Sequence, residues 1–420
     1  MKRISFVLLL VSLLFILSAA PTIAEAQEAI SASYDTDIDF PETLTFSLNA
    51  ESNSDITQIV LNYKIDKITT VTSISEVELQ FSAAPKVNTS WTWDMPNASL
   101  PPGAEIEYSW RIEDAAGHEL ETPWESVRFE DNRYPWKSLT EGKIFLFWVK
   151  GNQAFGQDLL DTATGALEKL ANDTGAHLEQ AIEIYIYASQ EDLLSALVFP
   201  QEWTGGVSFS EYGILAIGLT QDIDWVKGTI AHELAHLVTY QMTYNPYSDI
   251  PTWLNEGLSM YAEGDLDSNF QYLLDRAISK DQLISVQTLS SNFPTDLGET
   301  RLSYAESYSL VKFLITNYGH EKILSLLGIF KQGSTYDGAL EGVYGFDTSS
   351  LDNLWRLSLG LEPRQVTPTP QPTPKTNFFG CREASAKTAH DSMTSLGALG
   401  ILLLPAVGEV IRVRARRGRK

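Results

Sequence analysis

The stretch "TIAHELAHLVTY", residues 229–240, sets two histidines four positions apart, with an acid directly after the first. On an α-helix, positions i and i+4 stand about 40° apart, so His232 and His236 project from one face and can reach one ion together. Zinc sites use this H-E-x-x-H spacing because two parallel imidazoles present neutral nitrogen donors to the cation. Glu233 borders the same face, where it can hold a water for the ion to activate. The opposite side carries Ile230, Leu234, Leu237 and Val238. That apolar stripe predicts a buried helix with its histidines turned toward a cleft.

A catalytic zinc takes three protein ligands and keeps one position open. The segment "DIPTWLNEGLSMYAEG", residues 249–264, supplies the third. It reads as a helix opened by Pro251 and stopped by Gly264. The intervening "TYNPYSD" is long enough to reverse the chain, so the second helix can pack beside the first and bring Glu256 to the ion. His118, His177, His320 and His390 stand singly and read as surface residues.

Outward from this centre, "KIFLFWV" (143–149) and "IEIYIYA" (182–188) read as buried strands, with a helical pattern over 155–175 between them. After "GILAIGLT" the patterns are mainly helical. Residues 141–361 thus predict an α+β domain with the metal centre inside it.

Upstream, residues 27–138 read as strands. "ETLTFSLNAE", "DITQIVLNYKI", "SEVELQFSA", "EIEYSWRIED" and "ESVRFED" alternate apolar with polar residues, with turn-formers such as "LPPGAE" between them. The expectation is an all-β accessory domain, a two-sheet sandwich of the immunoglobulin or fibronectin type.

The two ends read as membrane signals. "MKR", the apolar "ISFVLLLVSLLFIL" and a small-residue "AEA" predict a signal peptide over 1–26. Residues 363–391 read as a stalk, because alternating Pro and Thr in "PRQVTPTPQPTPK" stiffen an extended chain. The apolar run 392–411 reads as a transmembrane helix, and the basic tail 412–420 stays on the cytoplasmic side. The expected location is the cell surface, with the body extracytoplasmic. Cys381 is the lone cysteine, so no internal disulfide is available. The formal charge of −24, with its basic residues clustered at both ends, excludes nucleic acid as a partner.

H-E-x-x-H followed by "WLNEG" resembles the gluzincins, metallopeptidases whose third zinc ligand is a glutamate on a following helix. "WLNEG" is close to the aminopeptidase-N-like family. The short domain and the "YAESYSLVKFLITNYG" helix are more similar to the bacterial peptidase-MA-like domain. The resemblance covers roughly 143–360. It implies a zinc hydrolase acting on peptides, with His232, His236 and Glu256 as ligands and Glu233 as the base. It also implies a tyrosine on a later helix to stabilise the oxyanion, for which Tyr304 and Tyr308 are the candidates. In zincin folds the strand at the position of "GILAIG" (213–218) edges the cleft, and "GGVSF" (205–209) would be its partner or a cover. The aminopeptidase signature G-x-M-E-N is absent, which leaves cleavage of internal bonds open. The competing reading is a catalytically inactive zincin-fold protein used for surface binding or adhesion; the retained Glu233 speaks against it.

Overall fold

The computed structural model describes residues 29–68, 73–95, 100–197 and 205–364. The readings of a signal peptide, a membrane span and a basic tail lie outside them, as does the stalk from residue 365 onward. Among the described residues no helix is long and apolar enough to cross a membrane.

The N-terminal part is all β: β1 (Ile30–Asp39), β2 (Thr43–Ile65), β3 (Ser75–Glu78), β4 (Ala84–Asp94), β5 (Ala104–Asp114), β6 (Glu119–Glu121) and β7 (Glu125–Phe129). The two strands read at 42–51 and 55–65 are one strand, β2. Its first half pairs with β1 and β4, its second with β3 and β5. The register shifts between Glu51 and Ile56, across the polar "ESNSD". The strands therefore form one seven-stranded network through β2, where two separate sheets were expected. Alternation still buries one side of the first half of β2, at Leu44, Phe46, Leu48 and Ala50.

A second sheet follows, in the order β11-β12-β10-β9-β8. Its strands are β8 (Lys137–Glu141), β9 (Ile144–Trp148), β10 (Ile182–Tyr187), β11 (Gly206–Phe209) and β12 (Ile214–Gly218). The three central strands, β9, β10 and β12, are parallel, and the two outer ones run antiparallel to their neighbours. Both faces are covered, which explains the near-continuous apolar runs. Ile182, Ile184, Ile186, Leu215 and Ile217 face helices α1 (Gln153–Thr174) and α3 (Ile223–Thr243). The alternate residues Tyr185, Tyr187, Ile214 and Ala216 pack into the core of the N-terminal strands. Polar clamps reinforce that seam: Arg128 of β7 pairs with Glu183 and donates to the Tyr185 hydroxyl at 2.7 Å.

The remaining helices are α2 (Gln190–Ser195), α4 (Thr252–Glu263), α5 (Ser268–Ser279), α6 (Val286–Leu289), α7 (Leu297–Tyr318), α8 (His320–Lys331), α9 (Tyr336–Tyr344) and α10 (Thr348–Ser358). From α4 onward they build an all-helical half around a separate core. Helix α3 lies between the sheet and this half. Val226, Ile230, Leu234 and Leu237 fill the sheet side, while Ala235, Val238 and Met242 fill the helical side. Each large aliphatic buried there contributes roughly 1.5–3 kcal/mol. The apolar stripe read from the sequence is thus buried, and so is most of the opposite face.

Candidate active site

Asp222 starts α3 by accepting from the backbone N–H of Asp224 and Trp225, and the helix carries His232, Glu233 and His236 into the interior. All three are buried. The "TYNPYSD" loop reverses the chain, and α4 begins after Pro251 and ends before Gly264. Gly257 lets α4 approach α7, since a Cβ there would stand 2.5 Å from the Ser307 carbonyl oxygen and 2.6 Å from Val311 Cγ2. That close packing fixes the neighbouring Glu256, whose side chain is fully buried.

His232, His236 and Glu256 offer ligand atoms that all lie within 4.8 Å of one another. Glu256 Oε2 is 3.6 Å from His232 Nε2 and 3.5 Å from His236 Nε2. Both Nε2 atoms, both oxygens of Glu256 and both oxygens of Glu233 are buried without a hydrogen-bond partner. So many orphaned polar atoms would be costly in a closed protein interior, and those of His232, His236 and Glu256 lie close together. A divalent cation with N and O preferences would resolve it, and two imidazoles with one carboxylate form a donor set that suits zinc.

Their surroundings orient the ligands. His232 Nδ1–H donates a hydrogen bond to Glu263 Oε1, and His236 Nδ1 lies 3.1 Å from Asn255 Oδ1 and 3.1 Å from Ser259 Oγ. With Nδ1 so occupied, Nε2 is the nitrogen of each ring that would bind the ion, once its proton is displaced. Burial opposes charge on His232, but the Glu263 and Glu256 carboxylates outweigh it and push its pKa up to about 10. Burial would raise Glu256, yet the two imidazoles hold it down at about 2. The centre therefore favours positive charge. Glu233 is shifted the other way: burial raises its pKa, with His236 and His232 pulling it back.

Of the two tyrosines, the structure brings only Tyr304 to the cluster. Its ring centroid is 6.3 Å from that of His232, and the ring of Phe293 stands edge-on at 5.3 Å behind it. Burial, then Glu256, Glu233 and Glu263, raise its pKa, so the hydroxyl keeps its proton. Tyr308, one turn on, points away. It donates to Asp265 Oδ1 at 3.1 Å and accepts from Lys312 Nζ at 3.0 Å, which ties its hydroxyl to the surface.

The edge of the sheet also differs from the sequence reading. The strand at "GILAIG" (β12) is internal, and β11 from "GGVSF" is the outermost strand beside α3. Gly206 brings its backbone against this helix: a Cβ there would meet Thr229 Cγ2 at 2.6 Å and Glu233 Oε1 at 3.3 Å.

Glu263, Asn255 and Ser259 were not picked out from the sequence. A signal existed for the first. Glu263 follows Glu256 by seven residues, about two helical turns, and so shares its face.

Residues 162–360 match the family model described as Peptidase MA superfamily. Comparison with curated proteins gives no match. Among solved structures, the chain is similar to the M1 zinc metallopeptidase from Deinococcus radiodurans, 12% identical over 82% of this chain and 96% of that one, with a TM-score of 0.35. It is also similar to an aminopeptidase N family protein from Idiomarina loihiensis, 10% identical over 80% of this chain and 76% of that one, with a TM-score of 0.39. The stretch that matches the Peptidase MA superfamily model, residues 162–360, holds every converging side chain described above, including the group His232, His236 and Glu256 that could hold a metal ion.

Proposed function

We propose that this chain is a zinc-dependent peptidase that hydrolyses peptide bonds outside the cell. The observation that carries the reading is the convergence of His232, His236 and Glu256, with the buried carboxylate of Glu233 next to His232 on the same helix. Held by His232, His236 and Glu256, zinc would supply Lewis acidity toward the scissile carbonyl and make the attacking water more acidic. Glu233 takes a proton from the attacking water and returns it to the leaving amine. Its pKa, raised by burial, suits a group that must both accept and release a proton. Tyr304 keeps its proton and donates it as a hydrogen bond to the oxyanion.

Strand β11 offers its free edge to an extended peptide, which would bind by backbone pairing. The proposal holds the catalytic part at the cell surface, on the strength of the signal read at 1–26 and the apolar run 392–411 followed by arginines.

The test is metal analysis and peptide cleavage by the full chain beside Glu233→Gln. The proposal expects one zinc per chain in both and cleavage only in the parent. Equal cleavage by both, or zinc binding without cleavage by the parent, overturns it.

A further inference from the structure

Strand β11 and helix α3 run side by side in the same direction. Gly206 stands against Thr229 and Glu233, while Glu211, just past the end of β11, lines a cleft with Tyr240 and Tyr244 further along α3. This cleft has a volume of about 330 Å³, and its far wall comes from the N-terminal strands, through Tyr63 at the end of β2 and Lys67 beyond it. The wall is tied in place. Lys67 Nζ donates to Glu211 Oε2 at 2.6 Å, and the Ile68 backbone N–H donates to the Glu211 carbonyl at 2.6 Å. Tyr63 is backed by Trp93 at 4.7 Å and Trp91 at 5.6 Å between ring centroids. Tyr240 and Tyr244 stand 5.2 Å apart, both half-buried.

From Glu233 to Tyr240 is seven helical residues, about 10 Å along α3. An extended peptide advances about 3.3 Å per residue, so a chain lying on β11 with its scissile bond at Glu233 reaches this cleft about three residues away. Aromatic walls around a small polar floor are the ordinary make-up of a side-chain pocket. Rings at the separations seen here take another ring in a stacked or edge-on arrangement.

We propose that the cleft between Tyr63, Lys67, Glu211, Tyr240 and Tyr244 is a substrate subsite. It takes an aromatic side chain of a bound peptide, about three residues from the scissile bond on the side toward Glu211. The N-terminal strands thereby take part in choosing the substrate. The proposal rests on the peptidase reading for the position of the scissile bond.

Binding and turnover are measured separately. Zinc-loaded full-length Glu233→Gln is titrated with a set of fluorescent decapeptides in which one Phe is moved through an Ala/Ser background, and the parent chain is assayed on the same set. The expected result is one favoured Phe position, binding about tenfold tighter than the all-Ala peptide. Adding Tyr240→Leu or Tyr63→Leu removes that preference. In the parent background, the same two substitutions leave cleavage of a short peptide that stops two residues from the scissile bond unchanged. Equal binding of all the peptides, or equal loss on short and long peptides in both Leu variants, overturns the subsite. A Phe preference that disappears with Tyr240→Leu in a chain that cleaves nothing keeps the subsite and overturns the peptidase reading instead.

Discussion

Glu263 and Glu256 sit on one face of α4, two turns apart, and both reach His232: Glu256 from the metal side at 3.6 Å from Nε2, Glu263 from behind at Nδ1. One helix thus supplies a ligand and the group that orients another ligand. Replacing Glu263 by Gln removes the charge that favours the correct tautomer. Zinc affinity is expected to fall about 10- to 100-fold while the fold persists. Competition with a graded series of chelators, alongside circular dichroism, measures both; unchanged affinity would leave Glu263 with no part in the centre.

Glu256→Ala should act more strongly. Two imidazoles without the carboxylate make a poor site, and zinc occupancy is expected to drop by one to several orders of magnitude. Metal content after dialysis against a weak chelator reads this directly. Retained stoichiometric zinc would move the third ligand to another residue.

The tyrosines separate cleanly. Tyr304→Phe should lower kcat about 10²- to 10³-fold with little change in KM or zinc content, as expected for loss of an oxyanion donor. Tyr308→Phe breaks only the contacts with Asp265 and Lys312 and should cleave at nearly the parent rate. Steady-state kinetics on both variants decides between them.

Gly257→Ala tests the packing that holds Glu256. The added methyl would meet the Ser307 carbonyl on α7, so α4 must shift. A loss of about 1–3 kcal/mol in denaturant unfolding is expected, together with weaker zinc binding. A variant as stable as the parent would mean that the two helices yield more easily than their packing implies.

A buried acid outside the centre gives a pH test. Glu306 on α7 accepts from the Ile284 N–H at 2.9 Å, and burial pushes its pKa up to about 8; Arg364 lowers it and Asp352 raises it. The folded state therefore holds a proton that the unfolded chain gives up near its ordinary value of 4.5. The stability from this group is complete below that value and is lost as pH rises through about 8. Glu306→Gln should flatten the pH dependence of unfolding across this window and gain on the parent as pH rises. Parallel stability curves for the two would contradict the shift.

The sequence revealed most where one helix face carries the chemistry. His232, Glu233 and His236 declare themselves by spacing, and Pro251 and Gly264 mark the ends of α4 by their backbone chemistry. What it hid depends on neighbours distant in the chain. Tyr304 and Tyr308 are both buried and one turn apart, and only the packing of α7 against α4 decides which meets His232. The outer position of β11 follows from strand order, which alternation does not encode. The joining of two expected strands into β2 depends on a polar "ESNSD" that stays extended because β1, β4 and β5 pair on either side of it.

Tyr185, Tyr187, Ile214 and Ala216 lie in the same core as Phe46 and Trp110. A shortened gene product starting near β8 would present this aromatic surface bare to water and is expected to aggregate rather than work as a minimal catalyst. Heat or urea should melt the two parts in a single cooperative step, and grafting the metal-bearing half onto a foreign partner would require a replacement cover for that face.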